Sequence, residues 1–153
     1  MRLLRTFTLI LAASFTAFTQ SGDDKHYRYT VDLTNVVNDR VFVELIPPPV
    51  KEKELTFYFP KIVPGTYAIA DYGRYVTDLT AVDKKGRKLS VEKVDENSWK
   101  IKGAKKLTRI SYWIDDTWDT SVTGPEIFWP AGSNIEEGKN YVLNSGGAFG
   151  YFD

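Results

Sequence analysis

His26 is the sole histidine of the chain, and there is no cysteine. Hydrolytic zinc centres take two or three imidazole or thiolate ligands, so this inventory excludes one built from the chain's own residues. A serine nucleophile would also have to recruit His26, and no Gly-x-Ser-x-Gly turn presents a serine to it. His26 falls on the polar side of an alternating run and reads as a surface residue. Asp115, Asp116 and Asp119 bring together the hard oxygen ligands a calcium ion takes. They lack EF-hand spacing and its bend glycine, so solvated loop acids are expected. Two carboxylates can also act as an acid and base pair, but sequence supplies no separation by which to judge this. Ser145-Gly146-Gly147-Ala148-Phe149-Gly150 is glycine-rich without the Lys-Ser/Thr of a phosphate loop, and is not expected to open a helix. Its glycines suit close backbone approach. Trp113, Trp118 and Trp129 could form a stacking platform for sugars. Packing in a core or at its rim is the expectation, with Trp118 and Trp129 on a loop.

The elements that would position these residues are strands. Tyr27, Tyr29, Val31 and Leu33 alternate with Arg28, Thr30, Asp32 and Thr34, the pattern of a half-buried strand. A loop is expected over 35–40 with Asn38-Asp39 as its turn, then a strand apolar on both faces from Val41 to Ile46. Pro47-Pro48-Pro49 ends it, because proline cannot donate to a ladder. Lys51-Glu52-Lys53-Glu54 reads as a solvated loop, and Leu55, Phe57 and Phe59 alternate along a third strand. Val63-Pro64-Gly65-Thr66 follows as a type II reversal, with proline fixing φ and glycine accepting the positive φ after it. Further strands are expected over 76–83, 89–94, 99–102 and 107–115, with hairpin turns at Gly86 and at 95–98. After a long loop, 136–139 turns and 140–144 forms a short strand. Seven to eight short strands punctuated by turns, with no ordinary helix, indicate an all-β antiparallel sandwich.

Twenty basic residues balance twenty acidic ones, so no net field draws the chain to nucleic acid or to an anionic membrane. Arg2 and Arg5 precede an apolar run from Phe7 to Phe18, the pattern of a signal peptide over 1–19 that is too short to span a bilayer comfortably. Export to the periplasm or the extracellular space is therefore expected, with no membrane span after cleavage. The remainder, 20–153, exceeds the length of about 70–80 residues below which a lone core needs staples. The ending Phe149-Gly150-Tyr151-Phe152-Asp153 carries no polar tail, and the domain is expected to stop short of a following one.

Several ordered motifs resemble the N-terminal domain of the glycyl-aminopeptidase family, exported zinc peptidases with a thermolysin-like catalytic domain and a PDZ domain. The hallmark is an apolar-Pro strand end, then Trp-x-Pro-Gly-x-Tyr, then an acidic-aromatic-x-Arg run. Here these stand as Phe59-Pro60, Val63-Pro64-Gly65-Thr66-Tyr67 and Asp71-Tyr72-Gly73-Arg74-Tyr75-Val76. The 79–86 run, the Trp99 strand, Phe128-Trp129-Pro130-Ala131-Gly132-Ser133-Asn134, Asn144 and Phe149-Gly150-Tyr151 also look like the family. Ile62 stands where many members carry Trp, and no His-Glu-x-x-His motif is present, so no catalytic role carries over. The resemblance implies zinc in a catalytic domain and none in this chain. It implies a scaffold whose partner is its own catalytic domain, with peptide substrate met only indirectly. Phe128, Trp129, Asn134, Asn144, Phe149 and Tyr151 are then the candidate contacts to that domain or its cleft, with Pro64, Gly65 and Tyr67 as the structural turn. The rival expectation is a stand-alone secreted module that binds glycans or peptides through loop aromatics.

Overall fold

The computed structural model describes residues 25–152, and the expected signal peptide lies outside the described residues. Nine strands follow in order: β1 (Arg28–Val37), β2 (Arg40–Ile46), β3 (Glu54–Tyr58), β4 (Val76–Asp83), β5 (Ser90–Asp95), β6 (Ser98–Lys102), β7 (Leu107–Asp115), β8 (Asn134–Glu136) and β9 (Asn140–Val142). They pair antiparallel in a four-stranded sheet ordered β1-β2-β7-β4, a three-stranded sheet ordered β3-β6-β5, and the β8-β9 hairpin. The inward residues of the two larger sheets make one core. Val41, Val43 and Leu45 of β2 and Ile110, Tyr112 and Ile114 of β7 meet Phe57 of β3 and Trp99 and Ile101 of β6. Each fully buried aliphatic or aromatic side chain contributes about 1.5–3 kcal/mol relative to exposure. The expected all-β sandwich is the observed fold.

Three local expectations are corrected. The loop expected over 35–40 is strand on both sides of a tight turn: Val37 pairs with Arg40, and Asn38 and Asp39 take φ of 53° and 54°. Positive φ at both central residues matches the right-handed twist of a two-residue hairpin. A register shift between Asp32 and Val37 then moves the inward phase by one residue, so Val36 is buried and Leu33 faces water. Residues 145–148 do form one helical turn, capped by the Asn144 side chain, which accepts from the backbone N–H of Gly146 at 2.9 Å and of Gly147 at 3.3 Å.

The chain after this turn closes the sandwich. Tyr151 exchanges two backbone hydrogen bonds with Tyr58, of 2.7 and 2.8 Å, adding a bridge to the free edge of β3. Phe152 packs on Tyr27 and Phe57, and Phe149 on Tyr29. The buried Tyr112 hydroxyl donates to the Ala148 carbonyl at 3.1 Å, and the Tyr29 hydroxyl donates to the Gly150 carbonyl. Burial pushes both phenols well above the ordinary tyrosine value.

Candidate functional site

Three stretches distant in sequence meet at the end of the sandwich where β4 begins and β7 ends. The first runs from Phe59 to Tyr75. It closes on itself through the Lys61 carbonyl, which accepts from Ala70 at 2.7 Å and Asp71 at 3.0 Å. At its tip the chain reverses at Pro64-Gly65: the Val63 carbonyl accepts from the Thr66 N–H at 3.3 Å, with Gly65 at φ 91°. Tyr67 follows at φ 55° and is 95% exposed. The stretch ends in a 3₁₀ turn, Tyr72–Tyr75. Asn97, buried in the β5–β6 turn, holds this turn from below. Its side-chain oxygen accepts from the Gly73 N–H at 3.0 Å and its amide donates to Asp71 at 2.7 Å. The approach is so close that a Cβ on Gly73 would lie 2.1 Å from the Glu96 carbonyl oxygen.

The second stretch is the loop from Asp116 to Ser133. Asp116 is 2% exposed, and its carboxylate accepts from the backbone N–H groups of Trp118, Asp119 and Ile135. The expected solvated acid is thus a buried clamp joining the two ends of the loop. The reason is register: Ile110, Tyr112, Ile114 and Asp116 occupy successive inward positions. Burial pushes the neighbouring Asp115 carboxyl above the ordinary range, and Asp119 faces water. Among the described residues no group of three or more His, Cys, Asp or Glu side chains could hold a metal ion.

Arg74 ties the first stretch to the second. Its Nε donates to the Ala70 carbonyl at 2.9 Å, its Nη1 to Thr123 at 2.9 Å, and its Nη2 to Pro125. The Tyr72 hydroxyl donates to the Ala131 carbonyl at 2.8 Å. Ala70, Tyr72, Tyr75 and Ile127 form a small second core, with Val63 and Val122 against it. The third stretch, Asn144 to Ala148, docks alongside: the Asn144 N–H donates to the Ser133 hydroxyl at 3.0 Å. Gly147 sits so near Tyr72 that a Cβ there would fall 2.4 Å from a ring carbon.

This second core carries a rim of exposed side chains. Trp118 and Trp129 stack with ring centroids 5.3 Å apart and planes at 21°, and are 47% and 60% exposed. Phe128 beside them is 61% exposed. Trp113 does not join the pair; it packs edge-on against Phe42 on the outer face of the four-stranded sheet. The remaining contact candidates do not join the exposed rim. Asn134 is buried and accepts from the Asn140 amide, Asn144 caps the helical turn, Phe149 is half-buried on Tyr29, and Tyr151 lies partly exposed on Tyr58. Sequence reasoning missed Asp116 and Asn97, whose polar types read as loop and turn. It placed Tyr72 and Arg74 in the motif without assigning them their work as ties.

A family model described as the peptidase M61 N-terminal domain matches residues 28–153. A crystal structure of an aminopeptidase N family protein from Idiomarina loihiensis superposes with a TM-score of 0.58 at 20% identity, covering 72% of this chain and 17% of that chain. At that identity the likeness is one of fold. No curated protein matches the chain.

Proposed function

The chain belongs to the peptidase M61 N-terminal domain family, and on that premise we propose that it is the non-catalytic β-sandwich of an exported zinc aminopeptidase, packing on the catalytic domain and lining one wall of its cleft. The observation that carries this reading is the rim. The four most exposed large apolar side chains, Tyr67, Ile69, Phe128 and Trp129, all lie on the two stretches that Arg74 joins. Buried hydrogen bonds hold that region in one arrangement, so the rim is preorganised for a partner. A contiguous apolar patch on an ordered surface marks an interaction site, and the stacked Trp118 and Trp129 next to Phe128 supply its centre. The described residues do not supply zinc with a donor set, so the metal would be held by the catalytic domain. No step of peptide hydrolysis is assigned to this chain.

The test is calorimetric titration of a separately produced M61 catalytic domain with this chain. Saturable one-to-one association is expected, weakened about tenfold or more by Trp129→Ala, as for a buried aromatic anchor. The chain by itself should leave a glycyl p-nitroanilide intact with or without zinc. Hydrolysis by the pure chain, or a flat titration, overturns the reading.

The stacked pair of Trp118 and Trp129 favours a second reading, a secreted module that takes glycans or peptides on that face. It requires a saturable ligand from a glycan and peptide panel whose affinity falls on Trp129→Ala. A flat response across the panel removes it.

A further inference from the structure

A cavity of about 740 Å³ opens at the other end of the sandwich, where β2 and β4 finish and β7 begins. That is within the range of small-molecule sites, roughly 300–1,000 Å³. Its apolar lining comes from Ile46, Pro47, Val50 and Leu107, and Ile46 remains substantially exposed. Around this floor stand Arg28, Lys84, Lys85, Lys105 and Lys106. Among the described residues none of the five makes an ion pair. One further cation, Arg87, is engaged: it holds Asp83, the lining carboxylate, at 2.7 Å. Asp83 also accepts from the Lys85 and Arg87 backbone N–H groups at 2.8 and 3.1 Å. The one acid among the described lining residues is therefore spoken for by its own turn.

A concave wall bearing one sign of charge focuses its field on the space it encloses. Lysine ammonium groups are compact cations with three donors each, suited to an oxyanion with several acceptors rather than to one planar carboxylate. A phosphate monoester carries a charge of about −1.5 to −2 near pH 7 and three acceptor oxygens. The apolar floor between the cations adds a seat for a hydrocarbon or ring.

We propose that this groove binds a phosphate monoester that carries an apolar body. The inference does not depend on the role of the rim at the opposite end. The source of the ester is either a soluble phosphomonoester or the phosphomonoester headgroup of a phosphatidic acid.

Calorimetric titration of the full chain with 1-naphthyl phosphate tests it, beside 1-naphthol and vesicles of phosphatidylcholine with or without phosphatidic acid. One naphthyl phosphate per chain is expected, weakening with added salt, with 1-naphthol silent. The double variant Lys84→Gln/Lys105→Gln should lose about tenfold in affinity or more. Both residues are exposed, and an unchanged near-UV circular dichroism spectrum shows the variant folded. Naphthyl phosphate binding without vesicle binding supports the site and assigns a soluble ester. Binding to vesicles that contain phosphatidic acid but not to phosphatidylcholine alone, lost in the variant, supports it and assigns a headgroup. Silence toward both phosphate sources, equal binding of 1-naphthol, or binding untouched by the double variant overturns the proposal. So does poly-glutamate binding at these lysines without phosphate binding, which would make the groove a seat for acidic peptide.

Discussion

The two ends of the sandwich solve opposite problems. Eight residue steps along β7 separate Leu107, at the cationic groove, from Asp115, at the rim, about 26 Å at strand rise. At the rim end the polar groups are spent inside: Asp116, Asn97, Arg74 and Tyr72 all bond to backbone, and aromatic rings are left in water. At the groove end the apolar groups form a floor and five cations go without an ion pair among the described residues. A chain of zero net charge and ordinary composition thus carries two surfaces of different chemistry. A rim built on satisfied hydrogen bonds suits shape-matched packing, whereas unpaired flexible lysines suit a charged ligand. Order at the rim and free charge at the groove are separable, and substitutions can show it.

The largest effect is expected from Asp116→Ala. It strips the bonds from the N–H groups of Trp118, Asp119 and Ile135, the last of them buried. An unsatisfied buried donor costs about 1–3 kcal/mol, so a loss of about 3 kcal/mol is expected. Urea unfolding at pH 7 measures it, and Asp119→Ala, on the same loop but in water, should stay within about 0.5 kcal/mol. Equal losses for the two would dissolve the claim that the rim rests on one buried clamp.

Arg74→Lys is the next step down. A lysine cannot reproduce the guanidinium fork that reaches Ala70, Thr123 and Pro125 together. The bonds are partly exposed, so a loss of about 1–2 kcal/mol is expected. Hydrogen exchange should quicken over 122–127 while β2 and β7 keep their protection. Uniform quickening through the strands would mean that the rim is continuous with the main core rather than a separate unit tied to it.

How far the sequence reveals these features depends on whether a residue's role is local. Val63-Pro64-Gly65-Thr66 is legible because proline and glycine dictate backbone angles whatever surrounds them. The strands are legible because one buried face imposes alternation. Asp116 was within reach of the same logic: it continues the inward series Ile110, Tyr112, Ile114, and only its charge argued for solvent. Leu33 was misplaced because the bulge after Asp32 shifts the phase, and nothing local marks that shift. Asn97 could not be found from its turn, since its partners Asp71 and Gly73 come from a distant segment. The groove is the least legible feature. Lys84-Lys85 and Lys105-Lys106 each look like ordinary turn residues, and only the pairing of β4 with β7 sets the two turns side by side.

The smallest predicted effect separates the ends by the sign of their pH dependence. At the groove end the Arg87 side chain, followed by backbone N–H groups, holds Asp83 at about 2, below the ordinary 3.8. In the pH interval between those values the unfolded chain binds more protons at this residue. Its contribution is therefore complete above the ordinary carboxylate value and is lost as pH falls toward 2. At the rim end burial raises Asp115, so the folded chain binds more protons there, and that carboxyl's contribution declines as pH rises through the interval above 3.8. Asp83→Asn should consequently destabilise at pH 7 and progressively less toward pH 2. Asp115→Asn should be neutral to stabilising at pH 7, with any gain vanishing near pH 3. Urea midpoints of both variants and the parent at pH 7, 5 and 3 provide the comparison. Slopes of the same sign would show that one environment, not two, governs the carboxylates at the ends of this sandwich.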